Sequence, residues 1–205
     1  GWLPPVSDGS GRDRAFLRIG FEKLKAAGYE LRDGRMTDAS GVPLSFEIML
    51  KGSENQQIAI AFQQTLRKLG VEIVIRSVDA AQFLKRQIDY DFDMMFFRYT
   101  ASLSPGVEQA SRWGSEVRDK PGTFNYAGVA SPAVDALLDH IINARERPEF
   151  VDAVRALDRT LLSGAYVIPL YFKPEQWVAR WSRIERPEVT PIQGVQFPTW
   201  WHKKD

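Results

Sequence analysis

The groups in this sequence with the widest chemical repertoire are two histidines, one run of alternating aspartates, and a set of aromatic, amide and guanidinium side chains between Phe92 and Val129. His140 and His202 stand outside any HExxH or HxH spacing, so neither is placed to share a metal with a second ligand. Asp89-Tyr90-Asp91-Phe92-Asp93 offers carboxylates at alternate positions, but a calcium loop also needs a central Gly and a distal Glu, which are missing. That run reads as a polar turn leading into a strand. GxSxG, Walker A and GxGxxG spacings do not occur, and without cysteine there is no thiol nucleophile, thiolate metal site or disulfide. Acid pairs can be drawn at will from 26 Asp and Glu residues, so pairing alone specifies no glycosidase. The sequence assigns no catalytic residue, no metal ligand and no cofactor, and the expectation is a protein that is not an enzyme.

Binding chemistry has more to stand on. Phe92, Met94, Met95, Phe96 and Phe97 form an apolar, aromatic run that reads as a buried strand. The chain turns polar at Arg98, Tyr99, Thr100 and Ser102 and breaks at Pro105-Gly106. The long connection that follows adds Trp113, Asn125 and Tyr126. In an open α/β sheet, ligands bind in the crevice beyond the carboxyl ends of the strands, which makes this loop the expected site. Tyr99, Trp113 and Tyr126 can stack on apolar or peptide planes and offer a polar tip, and Asn125 can both donate to and accept from an amide. Arg98 can take a carboxylate with two parallel bonds. The candidate ligand-binding set is therefore Tyr99, Asn125, Trp113, Tyr126 and Arg98, with Tyr99 and Asn125 foremost. Each aromatic competes with an alternative role in core packing, and Arg98 with one as an ordinary surface residue.

The elements that must position these groups follow from periodicity. Residues 1–12 read as a linker punctuated by Pro4-Pro5 and Ser7-Asp8-Gly9-Ser10-Gly11. Asp13 caps a helix whose apolar face runs through Phe16, Leu17, Phe21 and Leu24 to Gly28. Asp33-Gly34 and Ser40-Gly41 mark a hairpin or ornamented loop. Leu44 to Lys51 alternates as a strand. Ser53 to Leu69 reads as a helix capped by Ser53 and ended by Gly70, with Ile58, Ala61, Phe62, Leu66 and Leu69 on its buried face. Val71 to Val78 is a second strand, Asp79 caps a helix over Ala80 to Gln87, and Phe92 to Phe97 is a third strand. Strand, helix, strand, helix, strand implies right-handed crossovers and a mainly parallel sheet. Ser131-Pro132 opens a helix to about Ala144, and Phe150 to Leu162 forms another after Pro148. Ala165 to Phe172 reads as a last apolar strand in an edge or crossing position, because Pro169 cannot donate to a ladder. The tail over 173–205 carries Trp177, Trp181, Trp200 and Trp201 with weak periodicity.

Composition narrows the class. A chain of 205 residues with 44% hydrophobic and 26% charged residues is long enough for a substantial core and is not disordered. With 27 Lys and Arg against 26 acids the net charge is +1, so no basic excess points to nucleic acid. No apolar run reaches the length of a membrane span. The opening GWLPPVSDGSGRDR lacks a secretory signal and an initiator Met, which fits a fragment of a longer precursor.

The succession AAGYELRDG (Ala26 to Gly34), GVPLSFEIML (Gly41 to Leu50), VDAAQFLKRQIDYDFDM (Val78 to Met94), SLSPGVEQASRWGS (Ser102 to Ser115), NYAGVASPAVDALL (Asn125 to Leu138) and ALDRTLLSGAYVIPLY (Ala156 to Tyr171) resembles the C-terminal lobe of extracellular solute-binding proteins of family 5. These are the periplasmic oligopeptide- and dipeptide-binding components of ABC importers, and the SPGVEQ and NYAGV wording is similar to the branch related to the microcin C-binding protein. The likeness runs from about Arg12 to Pro187. Leu103-Ser104-Pro105-Gly106 departs from the acidic turn of the dipeptide binders, so a region carries over and no charge-pairing contacts do. The resemblance implies an α/β fold with a mixed, mainly parallel sheet flanked by helices, one lobe of a type II periplasmic binding protein that closes on its ligand by hinge motion. It further implies a monomeric periplasmic protein, a peptide or peptide-like ligand, delivery to an inner-membrane ABC permease, and no nucleic acid partner. On this reading residues 13–172 are the ligand-binding lobe, and residues 173–205 return toward the missing N-terminal lobe. The alternative is a chaperone-like module that binds extended polypeptide or a partner protein.

Overall fold

The computed structural model describes residues 3, 5–7, 9, 13–100, 104–172 and 175–203. The linker reading over 1–12 falls largely outside these residues, as do Ser102, Leu103 and Lys173. Helix α1 (Arg14–Ala26) starts where expected, with the Asp13 carboxylate accepting the Phe16 N–H at 3.2 Å. A hairpin follows, β1 (Glu30–Arg32) and β2 (Arg35–Thr37), turning on Asp33 and Gly34, both at positive φ.

The central unit is a three-stranded parallel sheet in the order β4-β3-β5. Strand β3 (Ser45–Lys51) lies in the middle, pairing Ile48 with Ile75 of β4 (Glu72–Val78) on one side and with Met94 of β5 (Met94–Met95) on the other. A central parallel strand is covered on both faces, which is why Met49 is buried as fully as Ile48 and Leu50. Helix α2 (Gln56–Arg67) connects β3 to β4 and closes a core of Ile48, Leu50, Ala59 and Ile73. Its cap is Asn55 in a left-handed conformation, not Ser53, and Ala59 takes the buried place that the sequence suggested for Ala61.

Gly70 ends the turn after α2 at φ +77, and a β-carbon there would fall 2.9 Å from the Met36 backbone nitrogen. This close approach seats the hairpin: Met36 N–H donates to the Gly70 carbonyl at 2.8 Å, and Met36 packs with Leu69 and Val71.

Helix α3 (Ala80–Ile88) is capped by Asp79, whose carboxylate accepts the Gln82 N–H at 2.8 Å. The expected third strand over Phe92 to Phe97 shrinks to β5, because the Asp93 carboxylate, rather than more backbone, takes the Glu47 N–H at 2.8 Å. The connection beyond it holds an unforeseen short helix, α4 (Glu108–Trp113). Helices α5 (Pro132–Asn143) and α6 (Arg147–Ser163) then pack together, with Pro148 in the first turn of α6 instead of ahead of it. They share a core of Trp113, Val129, Val134, Leu138, Ile141, Ala153 and Leu157.

The strand expected over Ala165 to Phe172 does not form. Ala165 sits at φ +54, Pro169 has no N–H, and no described strand pairs with this segment, which leaves Tyr171 77% and Phe172 83% exposed. In the tail, β6 (Ile184–Glu185) pairs antiparallel with β7 (Trp201–His202).

Candidate ligand-binding site

The parallel order β4-β3-β5 creates a crevice by topology alone. The chain leaving β3 crosses to β4 on one side while β5 lies on the other, so the carboxyl ends of β3 and β5 face a gap that no described connection fills. An open pocket of about 190 Å³ occupies that gap. Leu50 and Lys51 come from the end of β3, Glu54 and Asn55 from the turn ahead of α2, Phe83 and Gln87 from α3, and Phe96, Phe97 and Arg98 from the exit of β5. Apolar and aromatic walls with a few polar groups are the usual make-up of a small-molecule subsite. Arg98 is exposed at the rim and forms no ion pair among the described residues.

From the pocket wall a row of rings leads into the body of the protein. Phe97 meets Tyr99 edge-on at 4.8 Å and Tyr126 at 4.9 Å. Tyr99 packs on Trp113 at 5.0 Å, and Tyr126 reaches Tyr90 at 5.8 Å and Phe124 at 6.1 Å. Tilted and edge-to-face contacts of this kind add to simple area burial. The pKa of the Tyr99 phenol is pushed up to about 12, first by burial and then by Tyr126 and Tyr90, with Arg112 opposing. Burial, with help from Tyr90, also raises that of Tyr126. Both are therefore neutral hydroxyl donors at physiological pH.

Trp113 and Asn125 have other tasks. Trp113 is 8% exposed, belongs to the α5–α6 core, and donates its Nε1–H to Gln109 Oε1 at 3.0 Å. Asn125 is fully buried: Nδ2 donates to the carbonyls of Gly114 at 3.0 Å and Val129 at 2.9 Å, while Oδ1 accepts the Val129 N–H at 2.8 Å. The NYAGV wording is thus a closed loop, with Gly128 N–H on the Asn125 carbonyl and Gly128 at φ +64. Of the five residues proposed from the sequence, Arg98 lines the pocket. Tyr99 and Tyr126 stand behind its wall, and Trp113 and Asn125 hold the loop that carries them.

The alternating aspartates serve separate partners. Asp89 pairs with Lys85, Asp91 with Arg86, and Asp93 with the Glu47 N–H. His140 lies 3.4 Å from Glu149, joining α5 to α6 at the surface. Sequence reading passed over Gln87 and Phe83. Their signal was the i, i+4 spacing behind the Asp79 cap, which puts both on one face of α3.

Residues 22–120 match the family model described as bacterial extracellular solute-binding proteins, family 5 middle. The matched stretch, just under half of this chain, is similar to that family. A Brucella suis protein carrying a provisional binding-protein name is 51% identical over 201 residues, covering 98% of this chain and 33% of that one. The peptidoglycan-binding protein YepA of Agrobacterium fabrum is 48% identical over 197 residues, covering 96% and 32%. Among solved structures, the oligopeptide-binding protein AppA of Bacillus subtilis, in complex with a nonapeptide, superposes with a TM-score of 0.73 at 20% identity over 91% of this chain and 37% of that one. That likeness shows the fold, an α/β unit with a parallel sheet flanked by helices. The chain spans about a third of the length of the curated relatives it matches.

Proposed function

We propose that this chain is one lobe of the solute-binding component of an ABC importer, a periplasmic protein that captures a peptide or peptide-like solute and delivers it to a membrane permease. The observation that carries the reading is the pocket at the switch point of the sheet, with Arg98 free at its rim and the Phe97, Tyr99, Tyr126 rings behind it. The names of a peptidoglycan-binding relative and of a fold neighbour holding a nonapeptide support the ligand class. No bond is made or broken: the lobe holds ligand loosely, and closure of the second lobe buries it, driven by the higher affinity of the closed state. Residues 165–203 carry exposed Tyr171, Phe172, Trp177 and Trp181, a surface that the other lobe of a protein three times longer would cover.

The test is native mass spectrometry of the complete protein, followed by gentle release of whatever it carries. A peptide or peptide conjugate whose retention falls about tenfold with Arg98→Ala supports the proposal, since a charge-assisted bond contributes roughly 1.5–3 kcal/mol. The exposed aromatics of the tail also suit the second reading, a module that binds extended polypeptide. An empty protein that captures unfolded chains through Phe172 and Trp177 favours that reading.

A further inference from the structure

Gln87 is 8% exposed and lines the pocket. Its side chain forms no hydrogen bond with any described residue, whereas the other buried polar side chains do: Asn125 with Gly114 and Val129, Gln109 with Trp113, and Thr37 with Glu30. No polar side-chain atom in the described protein is both sealed off and unpaired, so the Gln87 carboxamide opens onto the pocket. An amide that has no protein partner and faces the pocket keeps both its donor and its acceptor available to whatever enters. The nearby Asn55 points the same way. It caps α2 at φ +59, and its side chain makes no cap bond, leaving a second amide on the pocket lining.

We propose that Gln87 is the ligand-reading group at the floor of this site and that it pairs with one amide of the solute. The inference rests on the peptide-capture reading and names what the pocket selects. A carboxamide has a donor end and an acceptor end, and a ligand amide satisfies both at once. A carboxylate would use the donor end alone and crowd the acceptor with negative charge. A charged head would also be costly against Leu50, Phe83 and Phe96. The charges lie elsewhere: Lys51, Glu54 and Arg98 are exposed at the rim and carry both signs, where the termini or side chains of a peptide could stay partly hydrated. At about 190 Å³ the pocket is below the roughly 300–1,000 Å³ of a complete small-molecule site, so it takes one residue-sized portion of a larger solute.

The experiment offers an equimolar tripeptide pool to the complete protein, identifies the retained sequence by native mass spectrometry, and remakes it with each amide N–H replaced in turn by an ester oxygen. In the wild type one ester analogue binds about tenfold more weakly than the amide. In Gln87→Leu the amide and that ester bind within about twofold, and the unliganded variant melts no lower than the wild type, because no internal hydrogen bond has been removed. Persistence of the tenfold preference in Gln87→Leu overturns the assignment. So does a lower melting point with equal losses for both ligands, which marks a structural role. If Gln87→Leu instead erases discrimination between the free acid and its C-terminal amide, the group read is a carboxylate and the proposal fails. Retention of no tripeptide at all defeats the peptide reading itself, an outcome distinct from these.

Discussion

Asn125→Ala separates a loop-holding role from a ligand-holding one. The substitution removes two donors and one acceptor from a site with no solvent access, leaving the Val129 N–H and the Gly114 and Val129 carbonyls without their partner. The orphaned N–H costs more, about 2 kcal/mol; the carbonyls, which tolerate under-satisfaction better, add about 1 kcal/mol together. The expected loss is therefore about 3 kcal/mol, concentrated in the segment from Gly114 to Val129. Urea unfolding of the complete protein gives the magnitude, and hydrogen exchange at the Val129 amide gives the location. Asn125→Asp supplies the internal control. It keeps an acceptor for Val129 N–H but sets a carboxylate against two carbonyl oxygens, so its stability should recover as pH falls and the carboxyl is protonated. A variant with unchanged stability and exchange that nonetheless loses its ligand would refute the reasoning and return Asn125 to the cleft face.

Three further outcomes are expected. Glu47 is held below its ordinary value: burial pushes its pKa up, but hydrogen bonds and charge from Arg76 and Arg86 outweigh it. A depressed carboxyl contributes stability that is present above its ordinary, unfolded pKa of 4.5 and is lost as pH falls through the folded one. Melting curves below about pH 4.5 should thus fall more steeply for the wild type than for Glu47→Gln. Tyr99, raised to about 12, should stay protonated well above pH 10 in an alkaline absorbance titration. Its contribution to stability is complete below pH 10 and disappears between about 10 and 12, and Tyr99→Phe removes that late step. Gly70→Ala combines a left-handed backbone with a β-carbon 2.7 Å from Leu31 Cδ1 and 2.9 Å from Met36 N, so denaturant midpoints should register a loss of about 3 kcal/mol.

The sequence carried the sheet but not its edges. Alternation over Val71 to Val78 reports burial directly, and over Leu44 to Lys51 it does so except at Met49, which the central position of the strand buries; both strands form with caps and turns close to the expected positions. The last strand failed because an apolar run such as Ala165 to Phe172 states only that a partner is wanted. Strand pairing needs a neighbour, and no described strand supplies one. β5 falls short of its apolar run for a different reason: Asp93 competes for a backbone N–H of β3, a side-chain contact that periodicity does not encode.

The site divides along the same line. The location of the crevice followed from strand order, a property of the whole chain, and the loop after β5 does border it. The roles within the loop did not follow, because Asn and Trp carry the same hydrogen-bonding groups whether they face a ligand or their own backbone. Asn125 closes on Val129 four residues along, and Trp113 turns inward to Gln109 four residues back, so each satisfies itself locally. A residue that has met its needs within its own loop has little left for a solute. By that measure the informative side chain is Gln87, ordinary in the sequence and distinguished by what it lacks. Its meaning depends on α3, β3 and β5 meeting around it, and a pattern within one helix cannot express that.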